Sequence, residues 1–92
     1  MNSVFWTPEA IQDREDIFEY IGARNPEAAI MVDEMIAEKA AVLAAHPELG
    51  KSGRVPATRE LVIHRHYVLV YDRVGAVVRI LRILHVARDR PD

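Results

Sequence analysis

"ELVIHRHYVLVYDRVGAVVRILRILHV" runs from Glu60 to Val86 and decides the fold. It is dense in β-branched and aromatic residues and interrupted at two places. Arg65 separates "ELVIH" from "HYVLVYD", and Arg73-Val74-Gly75 separates that run from "AVVRILRILHV". Both connections are short enough for tight hairpins, so the stretch predicts three strands in an antiparallel meander. The last strand is the longest and the most continuously apolar, which predicts a central strand covered on one face.

The meander is fed by "GKSGRVPATR", Gly50 to Arg59. This reads as a loop. Gly50 and Gly53 permit its turns, and Lys51, Arg54 and Arg59 make it the most compact cationic cluster of the chain. Upstream the period changes to that of helices. Asn25 is placed to cap a helix with Pro26 at its first position. Ala28, Ala29, Val32, Met35, Ile36, Val42 and Leu43 then recur at helical spacing. His46-Pro47 ends that helix, because the residue before a proline is pushed out of the α region. Thr7-Pro8-Glu9 starts an earlier helix by the same capping logic, with Glu9 at the positive helix end. Its stripe is Ala10, Ile17 and Ile21, flanked by Phe18 and Tyr20, and it ends near Gly22-Ala23. Only a few residues join the two helices, which predicts an antiparallel hairpin. Val4, Phe5 and Trp6 read as a short opening strand lying beside one strand of the meander. The expected architecture is a single α+β domain over residues 1–92, in the order β-α-α-β-β-β. The N-terminal helical hairpin packs on one face of a small antiparallel sheet. The other face is left open, where a ligand is expected to bind.

Composition excludes several chemistries. Cys is absent, so there are no disulfides and no thiolate nucleophile. The opening "MNSVFWTPEA" has no basic start followed by an apolar run, so no signal peptide is expected. No stretch nears the roughly 20 apolar residues of a membrane span. A cytoplasmic protein with no membrane contact is therefore expected. The formal net charge is -2, but it is unevenly placed. Residues 1–45 carry nine acids and three bases, and residues 46–92 carry five acids and nine bases. A basic half of this kind fits an anionic partner, either nucleic acid or an acidic protein surface; a solvated surface of uneven sign is the plainer reading.

The four histidines, His46, His64, His66 and His85, have no i, i+4 pairing. His64 and His66 share a strand face by period 2, but two ligands do not make a site, so neither a metal nor another cofactor is expected. Neither Ser3 nor Ser52 lies in a nucleophile elbow, and Gly50 to Gly53 lead into a strand, unlike a phosphate-binding loop. What remains is a set of Arg, Lys, His and Tyr on the sheet and its loop. Arginines hold phosphates in bidentate fashion and His moves protons near neutral pH. Such a set is suited either to metal-free RNA cleavage or to binding an acidic partner. On the last strand, alternation places Arg79 and His85 on one face and Arg82 with Ile80 and Leu84 on the other. Arg82 and His85 share a face only if a bulge intervenes. An Arg among Ile and Leu needs a partner, and Glu60 or a C-terminal carboxylate is the expected one. For His85 the plain alternative is a strand-end residue bonded to backbone. For Tyr67 and Tyr71 it is core packing with a wet hydroxyl.

These residues carry a resemblance. "WTPEA" and "DIFEYI" in the first helix, "NPEAA" opening the second, "LAAHPELG", "GRVPATRELVI", "YVLVY" and "ILRILHVAR" occur in an order and spacing that span nearly the whole chain. Together they resemble the RelE/ParE superfamily of toxins from type II toxin–antitoxin systems, and more closely its ParE-like branch. The resemblance implies the fold read above. It also implies a plasmid-stabilising, growth-inhibitory toxin and a cognate antitoxin that neutralises it, in a hetero-oligomer with the toxin or beside a toxin homodimer. The implied target is DNA gyrase for a ParE-like member. The alternative is the ribosome and its mRNA for a RelE/YafQ-like endoribonuclease. Carried over in kind, Arg59, Arg82 and His85 are the catalytic candidates, and Lys51, Arg54, Arg88, Tyr67 and His46 the target-binding ones. The tail "ARDRPD" has no Tyr and the chain is acidic overall, which favours binding over cleavage. Arg14 falls where the family usually has an apolar residue, and so interrupts the stripe of the first helix.

Overall fold

The computed structural model describes residues 2–88. The elements are β1 (Ser3–Trp6), α1 (Pro8–Gly22), α2 (Pro26–Ala45), β2 (Lys51–Ser52), β3 (Arg59–His64), β4 (Tyr67–Val74) and β5 (Val77–His85). Both helix starts are capped as the sequence predicts. The Thr7 hydroxyl accepts from the Ala10 N–H at 3.1 Å, and Asn25 Oδ1 accepts from the Ala28 N–H at 3.1 Å.

The five strands lie in the order β1-β5-β4-β3-β2. β3, β4 and β5 form the expected antiparallel meander, with β5 central between β4 and β1. β1, however, runs parallel to β5, so the sheet is mixed. The helical hairpin carries the chain across one face of the sheet, the kind of crossover that parallel pairing requires. The expected loop also holds one more element, the two-residue β2, paired with the start of β3. The second hairpin turns later than the sequence implies, because β4 continues through Val74. Gly75 then takes a left-handed φ of 58°, which a glycine adopts without strain.

The core lies between the helices and the sheet. Ala10 and Ile17 of α1 meet Val32, Ile36, Ala40 and Leu43 of α2, and both helices cover Leu69, Tyr71, Val78 and Ile80. Each fully buried Leu or Ile contributes roughly 1.5–3 kcal/mol. Val42, expected in the α2 stripe, is exposed instead, and Ala40 takes the buried position. Arg14 does not disturb the packing. Its guanidinium donates to both carboxylate oxygens of Asp33 on α2, at 2.6 and 3.0 Å, and lies 5.1 Å from the centre of the Trp6 ring. The hydrogen bond to Asp33 raises its pKa, so the stripe is closed by a charged pair at its border.

A bulge reorganises the end of the sheet. Tyr71 is in register with Ile80, but Val70 is in register with Arg82, leaving Leu81 as the extra residue. Parity along β5 therefore changes. Ile80 before the bulge, and Ile83 and His85 after it, sit opposite the core residues Tyr71, Leu69 and Tyr67 of β4. The expectation that Arg79 and His85 share a face is corrected accordingly. Arg79 pairs with Asp72 on the far face, while His85 meets Tyr67 on the helix side.

Candidate functional site

The expected site residues fall into two groups at different ends of the sheet. The first surrounds the loop that feeds β3. Arg59 Nη1 donates to the carbonyls of Gly50 at 2.6 Å and Glu48 at 3.3 Å. Beside it the Tyr71 hydroxyl donates to the Pro47 carbonyl and accepts from the Gly50 N–H, both at 2.8 Å. The hydroxyl is thus satisfied by backbone and not by solvent, which corrects the wet reading. Burial raises the Tyr71 pKa, with the Gly50 N–H opposing. These two side chains strap residues 47–50 onto the sheet. Arg54 approaches Glu60, whose Oε2 also accepts from the Arg54 N–H at 3.1 Å. Lys51 is exposed, and His46 is the exposed C-cap of α2, its N–H donating to the Val42 carbonyl. Most of the cluster's charge is therefore already engaged within the loop.

The second group lines a polar cleft of about 480 Å³ between α1 and the end of β5, not on the open face of the sheet. β1 stops pairing at Ile80, so β5 presents a bare edge beyond it. Asp13 of α1 closes that edge. Its Oδ2 accepts from the Ile83 N–H at 2.9 Å and from Arg82 Nε at 2.7 Å, and its Oδ1 accepts from Arg82 Nη2 at 3.0 Å. The partner of Arg82 is thus Asp13. Glu60 is engaged with Arg54, and Asp89 and Asp92 lie outside the described residues. His85 lines the same cleft. Its Nδ1 accepts from the N–H groups of Ala87 and Arg88, each at 3.2 Å, so its backbone-bonded reading holds. The ring stacks on His66 at 5.8 Å and meets the edge of Tyr67 at 5.3 Å, while His66 lies 5.9 Å from His64. The Arg88 guanidinium sits over Tyr20 of α1, as does that of Arg24. Tyr67 is 4% exposed, belongs to the core and lines the same cleft from within.

The structure thus unites Arg82, His85 and Arg88 but leaves Arg59 apart. Arg59 pairs with Tyr71 and His85 with Tyr67. The four residue steps from Tyr67 to Tyr71 span roughly 13 Å of strand. Arg59 lines its own small hollow with Pro47, Glu48 and Tyr71. The cleft pairs opposite charges around an imidazole and is built for polar recognition. Sequence reasoning missed Asp13, Tyr20 and His66. Asp13 gave no local signal, because its partners are 69 and 70 residues away. Among the described residues no group of three or more His, Cys, Asp or Glu is placed to hold a metal ion.

Residues 4–90 match the family described as the ParE toxin of type II toxin–antitoxin system, parDE. The chain is 38% identical over 88 residues to "Toxin RelE2" of Caulobacter vibrioides, covering 96% of this chain and 99% of that one. It is 33% identical over 86 residues to "Putative toxin Y4kP" of Sinorhizobium fredii, covering 94% and 90%. A solved chain from the chromosomal ParDE toxin–antitoxin system of P. aeruginosa superposes with a TM-score of 0.83 at 28% identity, over 92% of this chain and 96% of that one. The chain belongs to the ParE toxin family of type II toxin–antitoxin systems.

Proposed function

We propose that this toxin inhibits growth by binding a macromolecular target of the DNA-gyrase class, and that it does not cut RNA. The observation that carries the reading is the separation of Arg59 from Arg82 and His85. Metal-free cleavage of a phosphodiester needs a base, an acid and a cation around one phosphorus atom. Here one cation straps a loop, roughly 13 Å along the strands from the imidazole, and Arg82 lies in a bidentate pair with Asp13. Lys51, Arg54, His46 and Arg88 are exposed and supply the target-binding surface.

A cognate antitoxin neutralises the toxin in the cytoplasm, and the pair stabilises the plasmid or chromosomal segment that encodes it. The α1 side of the hairpin supports such a partner. Trp6, Ile11 and Phe18 line an apolar groove of about 550 Å³, of the kind that takes an amphipathic helix.

Inducing the chain in cells while following plasmid topology and mRNA ends tests the reading. Altered supercoiling with intact transcripts is expected. New codon-phased mRNA ends with normal supercoiling would overturn it in favour of an endoribonuclease built on Arg82 and His85. Failure to co-purify with the product of the adjacent gene would remove the antitoxin.

A further inference from the structure

The two faces of the fold carry opposite charge around exposed apolar residues. All nine acids of residues 1–45 lie in α1 and α2, whereas the five strands hold only two, Glu60 and Asp72. Register places both on the face turned away from the helices. Glu60 is opposite Val70, and Val70 and Asp72 alternate along β4 with the core residues Leu69 and Tyr71. Each carboxylate is roofed by an arginine. The Asp72 side chain is 16% exposed beside Arg79 at 43%, and that of Glu60 is 12% exposed beside Arg54 at 46%. Asp72 takes two of the five N–H donors of Arg79 and leaves the others for a partner. Lys51, opposite Glu60, is exposed on the same face. Beside these cations runs an aliphatic row. Val62, Val68 and Leu84 lie in register across β3, β4 and β5, with Val62 exposed and the exposed Arg65 in the turn beyond. We infer that this face docks an acidic amphipathic helix of a partner protein, its apolar stripe on Val62, Val68 and Leu84 and its carboxylates on Lys51, Arg54 and Arg79.

The dimensions suit a helix. The four residue steps from Val68 to Asp72 span roughly 13 Å of strand, and a helix with its side chains is about 10–12 Å across. A helix laid on this face covers it as the helical hairpin covers the other. Charge selects an acidic one. Single-stranded nucleic acid is held by a cationic track with aromatic platforms for its bases, whereas the row here is aliphatic and has no side-chain donor for a phosphate. The groove of Trp6, Ile11 and Phe18 lies among Glu15 and Glu19, so an acidic helix is repelled there, and the two surfaces take different partners. The inference extends the reading of Lys51 and Arg54 as target-binding and rests on it. Its test contains no gyrase, so the two fail separately.

An NMR titration of the full chain with a synthetic amphipathic helix, Leu along one face and Glu on the rest, tests the docking. The methyl resonances of Val62, Val68 and Leu84 should move, and those of α1 and α2 should not. Val62→Glu alters an exposed position, so the spectrum of the folded chain should persist while binding weakens roughly tenfold or more, as it should in Arg79→Gln. Met31→Glu changes an exposed apolar residue of α2 and should leave the affinity unchanged. Wild-type affinity in a folded Val62→Glu chain would overturn the inference. So would equal binding of a polyglutamate without Leu, or a single-stranded DNA oligonucleotide that competes for the same methyls. Shifts that appear on raising the chain concentration alone would overturn it too, by giving the face to a second copy.

Discussion

The two ends of the sheet hold similar residues and use them differently. At the loop end, Arg59 and Tyr71 bond to the carbonyls of Pro47, Glu48 and Gly50, all within 12 or 24 residues along the chain. At the cleft end, Arg82 bonds to a carboxylate on a distant helix, and His85 holds a turn that ends in a cation. Polar side chains tied to backbone carbonyls become structure, because breaking them strands backbone acceptors, two of them part-buried. Side chains paired with other side chains at a surface keep a charge that a partner can rearrange. Cationic clustering in sequence does not distinguish the two cases; the nature of the acceptor does.

Gly50→Ala should break the loop end most severely. An added Cβ would lie 2.8 Å from the Tyr71 ring and hydroxyl and 2.9 Å from the Glu60 carbonyl. The loss should reach about 3 kcal/mol by overpacking, seen in a denaturant midpoint. Tyr71→Phe comes next, at about 2 kcal/mol, because it leaves the Gly50 N–H and the Pro47 carbonyl without their partner. It should also change the alkaline limb. Burial raises the Tyr71 pKa, so the folded state favours the neutral phenol. The stability it contributes is complete below the ordinary value near 10 and is lost as pH rises through and beyond it. The difference in stability between the wild type and Tyr71→Phe should shrink over that window.

At the cleft end the effects on folding are smaller. Asp13→Ala removes an acceptor from the part-buried Ile83 N–H and takes the bidentate carboxylate from Arg82. About 1–2 kcal/mol should be lost, and Asp13→Asn, which keeps one oxygen at the edge, should recover part of it. Equal losses in the two variants would mean that the ion pair outweighs the strand-edge bond. The smallest effect is expected at Ala57, whose φ of 67° is left-handed without being glycine. Ala57→Gly should be stabilising by about 0.5 kcal/mol, the relief of strain exceeding the entropy that glycine adds to the unfolded chain.

Much of the fold is legible in the sequence, because caps, prolines and the meander turns act locally. Thr7, Asn25 and His46 bound the helices where expected. The direction of β1 is not legible, because four apolar residues carry no mark of parallel or antiparallel pairing. Nor is the bulge at Leu81. "RILRILH" is apolar on both sides of the extra residue, so strict alternation put Arg79 and His85 together when the register shift parts them. The cleft was half legible. Arg82, His85 and Arg88 stand near one another in sequence, but Asp13, Tyr20 and His66 join them only through the packing of α1 and the β3–β4 turn.

The most direct test of the account is made with purified chain, reconstituted gyrase and a labelled messenger RNA in one buffer free of divalent chelators. The account predicts that the chain blocks supercoiling in a dose-dependent way and leaves the RNA at full length, free or on ribosomes. Cleaved RNA with supercoiling unaffected would contradict it, and would mean that Arg82 and His85 perform the chemistry without Arg59.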